Sequence, residues 1–176
     1  MKKTFFIFVT LIGMFSCNSL VEREEASHVL IDTVTISRAV YELKYLSNWK
    51  IDTADKDFDI DSYFSIDAPV EDGTSMFFLF NTPINEEEQI SAQVKAHLEK
   101  AMKNGIVSYF DHWGNFRGHG ALLKGKIMGI WKGEVTIFCH SGDSTSFLAV
   151  CQYLDNDTLK VLPGFRLIES SFKLRQ

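Results

Sequence analysis

The chain has 176 residues, of which 45% are hydrophobic and 13% aromatic, and its formal net charge at pH 7 is −5. Without its first 16 residues it keeps 16 basic and 23 acidic residues, so the remaining 160 residues carry a net charge of −7. That length suits one domain with a substantial core. The acidic balance disfavours nucleic acid or anionic lipid headgroups as partners, because like charges repel.

The N-terminus has the three parts of a secretory signal peptide. Lys2 and Lys3 precede an apolar run from Phe5 to Phe15, which small Ser16 follows. A membrane-spanning helix needs about 20 apolar residues, and this run is shorter. We therefore predict that residues 1–16 are removed.

Cys17 follows the small residue directly. Met14-Phe15-Ser16-Cys17 resembles a bacterial lipobox, in which the cysteine thiol is alkylated by a diacylglycerol before cleavage. The segment departs from the usual pattern at Met14, where Leu is commoner, and at bulky Phe15. The resemblance implies that Cys17 becomes the lipid-bearing first residue, whose acyl chains anchor the protein stably. The alternative is an ordinary signal cut elsewhere or an uncleaved anchor.

Behind the lipidation site, residues 17–28 are polar and lack apolar periodicity, which predicts a flexible tether. We expect one domain over residues 29–176. Near its start, Ser37 is expected to cap a short helix that carries Val40, Leu43 and Leu46.

Two strands are predicted next. Tyr63–Asp67 alternates in the manner of a strand, and Pro69 ends it. A turn at Glu71-Asp72-Gly73 leads to Met76–Phe80, an apolar run typical of a well-buried strand.

The clearest local signal predicts a helix from Asn85 to Asn104. Asn85 caps its first turn, and Glu88 lies three residues on, as in a capping box. Gly105 is expected to provide the left-handed stop. One face of this helix carries the apolar stripe Ile90, Val94, His97, Leu98, Ala101 and Met102.

The region from Ile106 to Leu154 is rich in β-branched and aromatic residues and is punctuated by glycines. Four strands joined by short turns are predicted, at about residues 106–116, 120–131, 134–140 and 146–154. Short connections make neighbouring strands antiparallel. A closing helix follows, with Pro163 expected in its first turn. Its apolar residues at near-helical spacing are Phe165, Ile168 and Phe172.

This order of elements predicts an α+β domain, an antiparallel β-sheet meander covered by helices on both faces. The segment 63–69, the central helix, the glycine-punctuated meander and the terminal segment 168–173 together resemble the Mog1/PsbP-like domains of bacterial lipoproteins, over roughly residues 48–174. One departure is that Pro69 is not followed by the tryptophan common in that group. The resemblance implies an α/β/α sandwich and an accessory role that is not enzymatic.

Cys139 and Cys151 flank a turn-like segment, so they can face each other across a hairpin. Disulfides persist in exported proteins. Two buried free thiols are the alternative, because cysteine also packs as a small hydrophobic residue. Both alternatives stay open, since strand register does not follow from sequence.

A run of aspartates lies between Asp52 and Asp61. Asp55, Asp57, Asp59 and Asp61 are weak candidates for a Ca²⁺ site, because Ca²⁺ prefers several oxygen ligands. The run lacks the glycine and glutamate of an EF-hand loop. A solvated loop, or a sheet edge whose charges deter pairing, is the favoured interpretation.

The sequence offers no established catalytic or cofactor motif. His112 and His119 have opposite parity along a strand, and His97 lies on an apolar helix stripe, where a core role is favoured. Zinc spacings, a nucleophile elbow and phosphate-binding loops are all missing from the sequence. We therefore predict no cofactor and no enzyme, and an uncharacterised hydrolase ranks last.

Five aromatic residues allow a binding interpretation. They can line a groove for a partner or ligand, since aromatic residues dominate interface anchors. Core packing is favoured for any single one of them. The five are Tyr109, Phe110, Trp113, Phe116 and Trp131.

The sequence thus predicts a membrane-anchored envelope lipoprotein with an accessory or protein-binding role and an envelope protein as partner. The alternative is a domain that binds a small ligand or Ca²⁺. Asn18 is not the aspartate that retains some lipoproteins in the inner membrane, and acidic residues begin only at Glu22. Attachment to the outer membrane, facing the periplasm, is therefore expected.

Overall fold

The computed structural model describes residues 32–52 and 62–175. The predicted signal peptide, the lipidation site Cys17 and the tether lie outside the described residues. The Ca²⁺ candidates Asp55, Asp57, Asp59 and Asp61 also lie outside them.

The described residues form ten strands and two α-helices, joined mostly by short turns. A 3₁₀ turn, Asp155–Asp157, precedes the second helix. The elements are β1 (Thr33–Ser37), β2 (Tyr41–Leu46), β3 (Lys50–Asp52), β4 (Tyr63–Asp67), β5 (Thr74–Phe80), α1 (Glu86–Lys100), β6 (Met102–Trp113), β7 (Phe116–Ile127), β8 (Trp131–His140), β9 (Ser146–Leu154), α2 (Thr158–Ser171) and β10 (Lys173–Leu174).

The strands form two sheets with antiparallel neighbours. A seven-stranded sheet has the order β3-β4-β5-β9-β8-β7-β6, and a three-stranded sheet has the order β1-β2-β10. The predicted four-stranded meander is β6 to β9. The antiparallel meander and the helices α1 and α2 were expected from the sequence and are present, whereas the separate three-stranded sheet was not expected.

Alternate residues of the large sheet supply two hydrophobic cores. On β9, Leu148 and Val150 belong to an aliphatic core that contains the buried face of α1, while Phe147 and Ala149 belong to an aromatic core. The aromatic core holds the buried face of α2 and also β2, through Tyr41. One face of the large sheet is therefore covered by both a helix, α2, and the smaller sheet, through β2.

The predicted helix after Ser37 is wrong, because β1 and β2 form a hairpin there. Its turn is closed by the Arg38 N–H, which donates to the Tyr41 carbonyl at 2.8 Å. Tyr41, Leu43 and Tyr45 are buried at every second position. This period of two competes with the three-residue spacing that indicated a helix, and the aromatic side chains favour the strand.

The start of α1 is as predicted, but its end is not. The Asn85 side chain accepts the Glu88 N–H at 3.3 Å. The helix ends at Lys100, and Met102 already begins β6, where it is buried in the aliphatic core. The left-handed residue is Asn104 rather than Gly105, and it lies in a bulge of β6. Met102 fitted the predicted apolar stripe because it packs in the same core as Ile90 and Val94, although it belongs to strand β6 and not to the helix.

The closing helix is present as α2. Pro163 lies within it rather than in its first turn, because the helix already starts at Thr158. The Thr158 hydroxyl donates to the Asp155 carbonyl at 2.8 Å and links the helix to the preceding 3₁₀ turn. Neither α1 nor α2 has the length and apolar character that crossing a bilayer requires.

Candidate binding groove

Helix α2 packs against β2 and β9, and it leaves a groove over the neighbouring strands β6, β7 and β8. The groove has a volume of about 380 Å³. Its residues come from four strands and one helix, which places them on a rigid frame. They are Phe110, His112, Trp113, Leu122, Thr136, Cys151, Tyr153, Leu162, Phe165, Arg166 and Glu169.

The floor of the groove is aromatic. The Trp113 ring is buried and lies 5.9 Å from Phe138 and from Phe172, centroid to centroid, and Phe110 stacks on Phe138 at 6.0 Å. A Cβ atom on Gly120 would stand only 2.3 Å from the Phe110 ring. Glycine at this position therefore lets the ring lie close against β7.

The rim of the groove is polar. Glu169 accepts the Gly114 N–H at 3.0 Å and so ties α2 to the turn after β6. Arg166 lies one helical turn earlier and is exposed. On the strand side, His112 accepts from Arg117 Nε at 3.2 Å and donates from Nδ1 to Asp111 at 2.8 Å. The hydrogen bond from His112 holds the pKa of the Asp111 carboxyl below its ordinary value.

A second cavity of about 380 Å³ continues the groove along the same sheet face. Glu134 stands where the two meet. It accepts the Tyr153 hydroxyl at 2.7 Å and forms an ion pair with Lys124. Burial, followed by the hydrogen bond to Glu134, raises the pKa of the Tyr153 phenol well above its ordinary value, so the phenol stays a neutral donor. Tyr153 lines the first cavity and Glu134 the second, so this hydrogen-bonded polar pair links the two linings.

The five aromatic candidates divide between the two interpretations. Phe110 and Trp113 line the groove, although both also pack against the aromatic core. Phe116 packs against that core. Tyr109 points to the opposite face of β6 and is exposed, and Trp131 lies half-exposed at the start of β8.

Sequence reasoning missed the contributions of β9 and α2 to this site. Tyr153 is itself buried, near the end of a strand whose residues are almost all buried, so it looked like a core residue. Arg166 and Glu169 are charged residues three positions apart, and each directly follows a buried residue of α2, Phe165 or Ile168. Charged residues at this spacing mark the polar border of an apolar helix face. This pattern is the sequence signal that could have identified Arg166 and Glu169 as groove residues.

Cys139 and Cys151 do not form the hairpin disulfide. Cys139 pairs with Leu148 and lies in the aliphatic core, whereas Cys151 pairs with Thr136 and lies in the aromatic core. The two side chains therefore stand on opposite faces of the sheet as buried free thiols, the second alternative above. Burial raises the pKa of Cys139 to about 12 and that of Cys151 to about 11, which makes both poor nucleophiles.

The histidines do not converge on a metal or a nucleophile. His119 on β7 donates to Glu86 at 2.7 Å, at the start of α1, whereas His112 on β6 lines the groove beside α2. The Ser141 hydroxyl accepts the Ile84 N–H at 3.0 Å, and His97 donates to the carbonyl of Gln93 at 2.8 Å. Within residues 32–52 and 62–175, no three His, Cys, Asp or Glu side chains are grouped to hold a metal ion.

Known proteins resemble this chain in structure but not in sequence. No protein-family model matches this sequence. No curated protein matches it either.

Solved structures do match. A protein from Bacteroides thetaiotaomicron aligns at a TM-score of 0.52 with 13% identity, over 82% of this chain and 48% of that one, so this chain spans about half of its length. Cyanobacterial PsbP (CyanoP) from Synechocystis sp. PCC 6803 aligns at a TM-score of 0.52 with 10% identity, over 82% of this chain and 94% of that one. LpqN, described as involved in cell envelope biogenesis of Mycobacterium tuberculosis, aligns at 0.48 with 11% identity, over 83% and 92%, a likeness too weak to bear on this chain. This chain therefore has a PsbP/Mog1-like fold.

Proposed function

We propose, starting from the PsbP/Mog1-like fold, that this protein is an envelope lipoprotein anchored through Cys17 that binds a partner protein in its groove and catalyses no reaction. The observation that carries the proposal is the groove itself, an apolar floor with a charged rim between α2 and strands β6 to β8. Sites of this kind are where binding energy concentrates.

The polar groups around the groove favour binding over catalysis. Glu169 is engaged by a backbone N–H, and Glu134 is held by a tyrosine and a lysine. The Cys151 thiol, which lines the groove, donates to the Ser75 hydroxyl at 3.5 Å and has a raised pKa. A nucleophile needs a lowered pKa or an adjacent base. These contacts instead hold the walls in place.

The shape favours an extended partner segment. The two cavities follow one another along the same strands, from Phe110 to Ile106 on β6 and from Leu122 to Lys124 on β7. Two apolar side chains of a partner, one in each cavity, would straddle the polar pair at Glu134.

One observation favours a second candidate, a small apolar ligand. A volume of about 380 Å³ falls within the usual range of ligand pockets, about 300–1,000 Å³, and the floor is aromatic. Such a ligand would occupy only the cavity beside Trp113.

The location and the finer architecture belong to the same proposal. Lipidation of Cys17 would hold the domain at a bilayer, and Asn18 and the late acidic residues support the periplasmic face of the outer membrane. The burial of α1 and α2 in different cores supports an α/β/α sandwich in which the β1-β2-β10 sheet shares one layer with α2.

Site-specific photo-crosslinking in the producing bacterium tests the partner proposal. A photoreactive amino acid at Leu122 or Thr136, both half-buried in the groove, should yield one discrete protein adduct. The same amino acid at Lys95, which is exposed on α1, should not yield it. Arg166→Glu should reduce the adduct at Leu122 at least fivefold, whereas the matched surface change Lys95→Glu should leave it unchanged.

Equal crosslinking from Lys95 and from the groove, or an adduct insensitive to Arg166→Glu, would contradict binding in the groove. A small molecule in native mass spectra of the purified chain that Thr136→Trp displaces would favour the second candidate. Anchoring is tested separately, because Cys17→Ala should leave the precursor unlipidated and uncleaved by the lipoprotein peptidase.

A further inference from the structure

One end of the seven-stranded sheet, the entry end, is where β6 and β8 begin and β7 and β9 finish. Met102, Ile127 and Trp131 lie side by side there in the strand register, and Gly133 pairs with Leu154. Helix α2 begins at this end too, since it follows β9 after a single 3₁₀ turn.

The described chain starts at the same end. Asp32 precedes β1, and its carbonyl accepts the Ser47 N–H at 2.7 Å. Three residues later Lys50 begins β3 and pairs with Asp67, the last residue of β4. Strand β4 runs parallel to β9, because each is antiparallel to β5, so its last residue lies at the entry end. The segment that leads from Cys17 therefore joins the domain at this end.

Large apolar side chains are exposed at the entry end. Met128 is 69% exposed, Ile130 67% and Trp131 49%, all at the turn from β7 to β8, and Leu159 is 89% exposed in the first turn of α2. These four belong to the seven large apolar side chains that are exposed within the described residues. Exposed apolar groups concentrated in one place indicate a contact surface.

The turn holds its apolar residues outward. Met128 and Gly129 both have positive φ, at 54° and 75°. The Met128 N–H donates to the Ala101 carbonyl at 2.7 Å, and the Ile130 N–H donates to Ile127 at 3.1 Å. Because a non-glycine residue at positive φ is uncommon, this conformation depends on its surroundings. The tip is thus held against the end of α1 in its outward-pointing shape.

The charges near the tip suit a lipid interface. Exposed Lys126 and Lys132 flank the turn on paired positions, and Lys100 is exposed at the end of α1. Asp155 lies close by at the second cavity. Glu71 and Asp72 lie at the same end in the turn between β4 and β5, whereas the lysines surround the tip itself. Lysine stems with a tryptophan match the region between headgroups and acyl chains.

We infer that the tip formed by Met128, Ile130 and Trp131, the wedge, inserts into the headgroup layer of the bilayer that holds the Cys17 anchor. This rests on the proposed anchoring. Fifteen peptide units separate Cys17 from Asp32, so the anchor lies within about 50 Å of the entry end. The wedge would then orient the domain with its entry end on the membrane and the opposite end of the sheet away from it.

Tryptophan quenching tests the wedge with the full lipidated chain. The protein is placed in phosphatidylcholine vesicles whose acyl chains are brominated near the headgroup. Trp131 emission should be quenched by at least half, while Trp49 and Trp113, which are 4% and 5% exposed, should be unaffected. Trp131→Phe should abolish the quenched component. Ile130→Lys should reduce it at least twofold, whereas Tyr109→Lys, at an exposed site in the middle of β6, should not.

Flotation of the same vesicles separates this inference from the proposed anchoring. Chains that do not float with the vesicles refute the anchor. Chains that float but show no quenching, or quenching that persists after Trp131→Phe, refute the wedge alone. Insertion that requires anionic phosphatidylglycerol in the vesicles would also refute it, because the wedge is inferred to act through its apolar side chains.

Discussion

The two faces of the large sheet are built differently. The face toward α1 is packed with aliphatic residues such as Val135, Ile137 and Val150, and α1 is the helix that covers it among the described residues. The other face is packed with rings, and a helix and a small sheet share it. Aromatic rings bury a large area each, and those of this face pack against both covering elements. The cover ends over β6 to β8, and the groove lies there.

Because the aromatic face is packed with stacked rings, removing a ring from it should cost more stability than removing one from the aliphatic face. Phe77→Ala should lower the free energy of unfolding by about 3–5 kcal/mol, because the ring is fully buried and stacks on Phe64 at 4.7 Å and on Phe172 at 5.1 Å. Urea denaturation followed by circular dichroism measures the loss.

Its neighbour on the opposite face is the matched control. Phe78 is only half-buried and packs against the aliphatic core. Phe78→Ala should therefore cost about 1–2 kcal/mol. If the two variants lost the same stability, the ring-stacked face would not be the more demanding one.

Glycine substitutions compare how far each face tolerates extra volume. A Cβ on Gly164, in α2, would stand 2.1 Å from the Trp49 ring. That ring packs edge-on against Phe165, with the two ring centroids 5.2 Å apart. Gly164→Ala should lower the free energy of unfolding by about 1–2 kcal/mol, since overpacking outweighs the gain of about 1 kcal/mol in helix propensity. Thermal and urea unfolding both report it.

Gly105 is the counterpart beside α1. A Cβ there meets the flexible end of Leu98 at 2.7 Å, and this side chain can move. Gly105→Ala should change the stability by less than about 0.5 kcal/mol, the usual range for changes without a packing conflict. A larger loss at Gly105 than at Gly164 would reverse the comparison.

The aliphatic face was also the easier one to predict. The cap of α1 and the first part of its apolar stripe are local patterns, and the structure follows them with Ile90 and Val94 buried. Local patterns suffice where one helix covers one sheet face.

The aromatic face depends on contacts between residues far apart in the sequence. Tyr41 stacks on Phe64 at 4.5 Å and lies 6.4 Å from Phe172. The helix expected after Ser37 was wrong because the three-stranded sheet needs β10, more than 120 residues away, to complete it. The groove was missed in part for the same reason, since Arg166 and Glu169 face β6 only after α2 has packed on β9.

An alkaline loss of stability is expected from the two buried thiols, one on each face. In the unfolded chain a thiol ionises near pH 9, whereas burial raises the pKa of Cys151 to about 11 and that of Cys139 to about 12. The unfolded state therefore loses its protons first, and the stability that the neutral thiols contribute is complete below about pH 9 and is lost as the pH rises toward 11 and 12. At pH 9.5 each thiol should account for about 0.5–1 kcal/mol of the loss relative to pH 7.

Single variants assign this loss to each face. Urea unfolding at pH 7 and at pH 9.5 should show that Cys139→Ala and Cys151→Ala each reduce the alkaline loss by a similar amount. Between pH 11 and 12 the faces should separate, because the Ser75 hydroxyl bonded to Cys151 favours its thiolate, while Cys139 sits among aliphatic side chains and near the Glu86 carboxylate. Cys139→Ala should then relieve more of the loss than Cys151→Ala does. The reverse order would show that a thiolate forms more readily at Cys139, on the aliphatic face, than at Cys151, on the face that borders the groove.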